Sequence, residues 1–319
     1  MDQTLLYLPF LVFLPIVFIF FKKICFPPSK QCRLPPGPRP WPIVGNIPHI
    51  GKKLHISLTN IAKVHGPLIS LRLGTQLVIV GSSSKAAIEI LKHNDRLLSA
   101  RSIPKAVPRK SHVLERLALE LFSAGVDTTT TTVEWAIAEL LKNKQAMKTL
   151  QQELETEINR NPIQESQVSQ LLYLNACVKE TLRLHPPAPF LLPHCATEAC
   201  ELMNFVVPKN TRVLVNVWAI ARDPLIWEDS ELFKPERFLH SGLDFKSQNF
   251  DFLPFGSGRR ICPGLPMAIR QLPMILASLI HHFDWSLPNG EDPALLDMTD
   301  KFGITLQKEQ PLFIVPKRK

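Results

Sequence analysis

Prolines set the first limits on this backbone. They make up 29 of 319 residues, or 9.1%, against about 5% in average proteins. They follow no repeat, so they enforce turns and helix stops rather than a collagen-like rod. Eight of them fall between Pro27 and Pro48. The centre of that stretch, Leu34 to Asn46 (LPPGPRPWPIVGN), reads as a stiff extended connector. Hydrophobic residues at 45% and charged residues at 20% exclude wholesale disorder. A chain of this length can bury a core without disulfide or metal staples.

Between the prolines, the apolar spacing predicts helices at Ser57–Val64 (ending at Gly66), Ser83–His93, His112–Lys142, Asn143–Asn159, Gln167–His185 (stopped by Pro186-Pro187) and Pro263–His282. Apolar, β-branched runs at Leu68–Leu73 and Gln76–Val80 flank Gly74-Thr75 and predict a hairpin. Short strands are expected at Phe205–Val207 and Arg212–Val215, and a closing hairpin at Phe302–Leu306 with Pro311–Val315. The fold class is mainly α with small β-sheets (α+β). No βαβ alternation supports a doubly wound sheet.

Leu5 to Phe21 is a run of seventeen apolar residues, counting Tyr7, Pro9 and Pro15. As a helix it spans about 25 Å, the short end of a bilayer crossing. Lys22 and Lys23 follow, and no basic residue precedes the run. That order fits a single-pass signal anchor with the rest of the chain in the cytosol, not a cleaved signal peptide. A buried core helix is the rival reading, and the terminal position and length weigh against it. The expected organisation is an anchor at 1–24, a Pro-rich hinge at 25–48 and one domain at 49–319. The net charge of +9 suits an anionic partner surface and by itself chooses none.

Cys25, Cys32, Cys177, Cys195, Cys200 and Cys262 form no CxxC pair and no zinc-like cluster. Cys262 stands apart because of its surroundings, Pro254-Phe255-Gly256-Ser257-Gly258-Arg259-Arg260-Ile261-Cys262-Pro263-Gly264. With Pro263 at a first helical position, Cys262 sits at a helix N-terminus, where the dipole favours a thiolate. Gly256 and Gly258 let the backbone approach something flat, and Arg260 offers a fork for a carboxylate. A buried structural cysteine beside a turn is the competing reading.

This loop resembles the F-x-x-G-x-R-x-C-x-G signature of the haem-thiolate monooxygenases, the cytochrome P-450 superfamily, through Phe255, Gly258, Arg260, Cys262 and Gly264. Chance alone matches five such positions roughly once in 10⁴ sequences of this size. Ala124-Gly125-Val126-Asp127-Thr128-Thr129 resembles the family's oxygen-activation motif. The β-branched run Thr128–Thr132 beside Gly125 breaks helix propensity and predicts a functional kink. Glu180 and Arg183 resemble the E-x-x-R pair, with Arg237 supplied by Pro235-Glu236-Arg237-Phe238. The segments LPPGP (34–38), ETLRLHPPAP (180–189), VNVWAIARDP (215–224) and KFGITLQK (301–308) are similar to plant microsomal members, in the clade of geraniol 8-hydroxylase-like enzymes.

The resemblance implies a haem b cofactor with Cys262 as axial ligand of its iron. It implies propionate binding by Arg260 and His194, with Phe255, Gly256, Gly258 and Gly264 shaping the loop. Asp127 and Thr128 become the acid–alcohol pair that handles protons. Ala124, Phe190, Leu191 and Ile304 become wall positions for a small apolar substrate, a monoterpenol in this clade. The implied partners are the endoplasmic reticulum membrane and NADPH-cytochrome P-450 reductase as the route for electrons from NADPH, with no nucleic acid.

One departure stands out. Family members carry on the order of 180 residues between the block ending near Ala100–Pro104 and the helix starting near His112. The expected cytochrome P-450 fold is therefore incomplete, with helices missing between about residues 105 and 111. The missing part normally holds a W-x-x-x-R helix. Trp218–Arg222 has that spacing in the wrong place. Weak haem retention and low activity are expected on this ground, and the alternative reading is a non-catalytic, membrane-tethered remnant. A haem-thiolate isomerase ranks lower, because Asp127-Thr128 is kept and the cysteine loop has the standard length.

Overall fold

The computed structural model describes residues 33–101, 113–159, 162–246 and 249–319, with side chains in the long central helix described from residue 121. The expected anchor at 1–24 and the junction near 105–111 lie outside the described residues.

Helix α1 (Leu54–His65) buries Leu58 and Ala62 on one face and ends where Gly66 takes φ 108°. Strands β1 (Leu68–Leu73) and β2 (Gln76–Gly81) pair antiparallel from Leu68↔Gly81 to Leu73↔Gln76, as the Gly74-Thr75 turn predicts. Ser83 caps α2 (Ser84–Ile88) by accepting from the Ala86 amide, and the helix continues as a π turn over Glu89–His93. A short α3 (Asp95–Leu98) follows.

The helical block comprises α4 (Val113–Lys142), α5 (Lys144–Glu157), α6 (Glu165–Val168) and α7 (Leu172–Leu184). After it come β3 (His194–Cys195), the hairpin β4 (Cys200–Leu202) and β5 (Phe205–Val207), β6 (Arg212–Val215) and α8 (Val217–Ile220). The last elements are α9 (Leu265–His282), β7 (Phe283–Ser286), β8 (Asp300–Phe302), β9 (Leu306–Lys308) and β10 (Val315–Arg318).

The largest sheet has the order β1-β2-β6-β3. Its β2–β6 pair is parallel, so a long crossover containing the helical block connects the two strands. One apolar core lies among α4, α5, α7 and α9, around Leu140, Leu150, Leu174, Cys177 and Leu276. A second lies under the sheet, around Ile79, Ile90, Val213 and Val215. The mainly helical class with small sheets is the class the spacing predicts.

Several local expectations need correction. Gln167–His185 is not one helix. It breaks at Leu171 (φ −74°, ψ 98°), and the Glu153 carboxylate of α5 accepts from the Tyr173 and Leu174 amides that start α7. Pro263 is not the first helical residue. Gly264 is the N-cap of α9 and Pro266 occupies its first turn, so Cys262 precedes the helix instead of opening it. The closing hairpin pairs differently, with β8 against β9 about Ile304, and β10 against β7 with Val315 opposite Ser286. Where a kink is expected, at Gly125 and Thr128–Thr132, the helical assignment of α4 continues from Val113 to Lys142. Thr128, Thr129, Thr130 and Thr132 each donate their hydroxyl to the carbonyl four residues earlier. Those bonds give the β-branched side chains a place within the helix.

Candidate functional site

The most deeply buried polar group in the helical block is centred on Glu180, which shares its face of α7 with Arg183 at i,i+3. Arg183 Nε donates to Glu180 Oε2 at 2.7 Å and Nη2 donates to Oε1 at 2.8 Å, with both side chains fully buried. The remaining Arg183 protons go to the carbonyls of Ala221, Ser230 and Leu232. Arg237, from the 3₁₀ turn Pro235–Phe238, donates through Nε to Glu180 Oε1 at 3.0 Å. The two guanidinium groups lie 5.2 Å and 5.9 Å from the Trp227 ring. The structure thus brings Glu180, Arg183 and Arg237 into one satisfied network, which fixes the loop leading to the cysteine segment.

That segment folds back on itself. The Cys262 amide donates to the Phe255 carbonyl at 3.0 Å, which closes the loop. Gly256 and Gly258 hold φ of 71° and 69°, a region that favours glycine. At Gly258 an added Cβ would fall 2.3 Å from the Leu91 carbonyl oxygen, so no side chain fits. At Gly256 it would meet Leu191 Cδ1 at 3.3 Å, which places Leu191 against this loop. Gly264, at the start of α9, lies beside Cys262 Sγ. Cys262 is a free, half-buried thiol.

Arg260 turns toward β3. Its Nη1 donates to the carbonyls of Pro193 (3.0 Å) and Ala100 (3.3 Å). His194, the next residue after Pro193, is buried and its Nδ1 bonds the Leu98 carbonyl at 2.9 Å. Burial lowers the His194 pKa, the Leu98 bond opposes this, and the nearby Arg260 charge lowers it further. Burial and the Arg101 charge lower the Arg260 pKa. Among the described residues, no carboxylate forms an ion pair with Arg260. The Arg260 cation without an acid partner, with His194 beside it and an accessible thiol in a glycine loop next to both, is a set that fits the carboxylates and iron of haem.

Asp127 and Thr128 lie on α4, where Asp127 Oδ2 accepts from Ser123 and Thr128 Oγ1 donates to the Ala124 carbonyl at 2.6 Å. Around them the helix is bare. Leu121 is 56% exposed and Phe122 70%, and Ala124 and Gly125 are exposed as well. Of the wall candidates, Leu191 reaches the cysteine loop, whereas Ile304, at the tip between β8 and β9, is 92% exposed. Phe190 is buried in the core under α1, edge-on to Phe302 at 5.9 Å.

Trp218 and Arg222 stack on each other, with the guanidinium 4.1 Å from the ring centroid. Sequence reasoning missed a neighbouring arrangement. His185 lies flat on Trp135 (3.8 Å, 5°) and bonds Glu139 Oε1 at 2.7 Å. The only sequence signal for it is His185 within ETLRLHPPAP.

Comparison with known proteins agrees with this architecture. The family described as Cytochrome P450 matches residues 35–112 and 110–315, two pieces that meet at the junction. (S)-N-methylcoclaurine 3'-hydroxylase isozyme 1 of Papaver somniferum is 30% identical over 474 positions, covering 95% of this chain and 98% of the relative. Those 474 positions exceed the chain's 319 residues by 155, so the relative has at least that many residues without a counterpart here. Geraniol 8-hydroxylase of Catharanthus roseus is 50% identical over 221 residues, 69% of this chain and 44% of the relative. A solved zebra fish cytochrome P450 structure with abiraterone shares the fold at TM-score 0.70 and 23% identity, covering 84% of this chain and 100% of that one. The chain belongs to the cytochrome P450 family, whose members are haem monooxygenases of the oxidoreductase class.

Proposed function

We propose that this protein hydroxylates a small apolar alcohol of the monoterpenol type, with a haem b held by Cys262. Electrons come from NADPH through NADPH-cytochrome P-450 reductase at the endoplasmic reticulum membrane. The observation that carries the reading is the acid-free pair of Arg260 and His194 beside the Cys262 loop. The substrate class rests on the 50% identity to geraniol 8-hydroxylase of Catharanthus roseus.

Haem, when bound, supplies the oxidising chemistry. The chain's own residues supply the rest. Cys262 presents its sulfur as thiolate from a loop locked by the Phe255 carbonyl and by glycines at 256 and 258. Arg260 would hold a propionate by charge-assisted hydrogen bonds, and His194, whose Nδ1 is taken by the Leu98 carbonyl, would bind the other through Nε2 once that carboxylate draws a proton onto it. Thr128, whose hydroxyl otherwise bonds the Ala124 carbonyl, and Asp127 pass protons along α4. Of the apolar wall positions, Leu191 lies against the cysteine loop and Ala124 on the bare face of α4, Ile304 would reach the substrate from the exposed β8–β9 tip, and Phe190 backs the wall from the core under α1. Residues 1–24 anchor the chain, 25–48 act as hinge and 49–319 form the domain.

The test is expression of the full chain in microsomes with a plant reductase, NADPH and geraniol. The expected result is an NADPH-dependent hydroxylated product, formed more slowly than by the Catharanthus roseus relative because residues 121–126 are uncovered. A thiolate-type carbon monoxide spectrum without product from any monoterpenol overturns the substrate class. No haem spectrum at all favours the non-catalytic remnant. Release of the protein by carbonate overturns the anchor.

A further inference from the structure

The chain leaves β7 through the turn Pro288-Asn289-Gly290-Glu291, in which the Glu291 amide donates to the Pro288 carbonyl at 3.2 Å. Asn289 holds φ 56° and ψ 14°, and Gly290 holds φ 72°. Positive φ at both central positions defines a type I′ turn, the geometry that Asn-Gly pairs favour. On one side Leu287 is buried, and on the other Leu296 packs against the helical core. Between these two fixed points Asn289 and Gly290 stand exposed.

Asn289 is the only asparagine in the sequence that is followed by glycine. Asparagine is among the chemically labile side chains. Its amide carbon lies within reach of the next backbone nitrogen, and a Cβ on that next residue hinders their approach. Around Gly290 the space is open, since an added Cβ would meet nothing within 4 Å. The Asn289 side-chain amide makes no hydrogen bond among the described residues, so nothing holds it away from that nitrogen. Asn46 and Asn216 are the contrast. Both are buried, with side-chain nitrogens bonded to the Pro38 carbonyl and the Thr59 hydroxyl.

We infer that Asn289 is a site of spontaneous deamidation. The Gly290 nitrogen bonds to Asn289 Cγ, the Cγ–Nδ2 bond breaks, and the side-chain nitrogen leaves as ammonia, taking the Gly290 proton. Water then opens the five-membered imide at either carbonyl. Breaking the new bond at Cγ gives ordinary aspartate. Breaking the original peptide bond gives isoaspartate, with the main chain rerouted through the side chain. Water is the only co-reactant. Either product gains one negative charge beside Glu291 and Asp292. Isoaspartate also lengthens the backbone by one methylene, which the type I′ turn cannot absorb while Leu287 and Leu296 stay packed. The inference does not depend on the haem reading.

The test is to hold the full chain, folded in detergent, in mildly alkaline buffer beside the same chain unfolded in urea. Peptide mapping by mass spectrometry reads conversion of the side-chain amide to an acid, and methyl transfer by an isoaspartyl methyltransferase reads isoaspartate. Both products are expected at position 289, and at no other asparagine of the folded chain. Exposed turns open at little cost, so the folded rate should lie within about tenfold of the unfolded one. Asn289→Gln, which would have to close a larger ring, should abolish the methyl-accepting signal. A folded rate slower than that tenfold limit shows that the turn shields Asn289 and overturns the inference. Aspartate without isoaspartate overturns the ring-closing step, and a signal that persists in Asn289→Gln overturns the assignment of the site.

Discussion

Arg183 grips Glu180 with both Nε and Nη2, at 2.7 Å and 2.8 Å, inside a core where neither side chain meets solvent. A buried pair of this kind is expensive to break, because the surviving charge has nowhere to go. Glu180→Ala should lower unfolding free energy by about 3–5 kcal/mol. Arg183→Lys should also destabilise, since an ammonium cannot reach Glu180 and three carbonyls together. Denaturant titration of each variant measures this. A loss below about 1 kcal/mol for Glu180→Ala would show that the network is decorative.

Cys262→Ser should abolish the thiolate-type spectrum of the reduced carbon monoxide complex, while Cys177→Ser, Cys195→Ser and Cys200→Ser should keep it. Cys177 is buried inside α7, and burial pushes its thiol pKa well up, so it is a poor source of thiolate. Survival of the band in Cys262→Ser would reassign the ligand.

Stability should fall on mild acidification. Burial lowers the His185 pKa below its ordinary value near 6.5, the Glu139 bond opposes this, and Arg222 adds to the lowering. His194 shifts the same way, again mainly through burial. Below about pH 6.5 the unfolded chain takes up protons that the folded chain refuses, so stability present at neutral pH is lost as pH drops toward the folded pKa. The measurement is the denaturant midpoint from pH 7.5 to 5.5. His185→Gln should flatten this slope, and an unchanged slope in that variant would point to other groups.

Phe122→Glu and Leu121→Gln should leave the melting temperature nearly unchanged and reduce aggregation. Both side chains are mostly exposed on α4, so little packing is lost while an apolar patch shrinks. Light scattering on detergent-solubilised protein reads the outcome. A large drop in melting temperature would mean that another part of the protein covers this face.

The sequence made some of this legible for physical reasons that can be named. Gly74-Thr75 between β-branched runs specifies β1 and β2 to the residue at nearly every position, because turn and strands agree locally. The Glu180–Arg183–Arg237 network was visible only through family resemblance, since i,i+3 spacing alone reads as a surface pair. The start of α7 was invisible, because its cap is Glu153 on a different helix. The pairing of Val315–Arg318 with Phe283–Ser286 was equally hidden: alternation marks a strand but does not name its partner. At Thr128–Thr132 propensity counts only the cost of β-branching and misses the hydroxyl bonds that four of these threonines make to the preceding turn.

The parallel register of Val78 with Arg212 bears on what a shortened connection does to such a chain. To form that pair, the unfolded chain must close a loop of 134 residues, counted from position 78 to position 212. In the Papaver somniferum relative at least 155 additional residues lack a counterpart here. Where these lie within the same loop, it is roughly twice as long, and doubling a loop changes closure entropy by only about 0.6 kcal/mol. Pairing of β2 with β6 is thus almost indifferent to the length of what is strung between them. The strands can find each other with or without it, and the penalty of the missing segment falls on surfaces such as Leu121 and Phe122, not on assembly of the sheet.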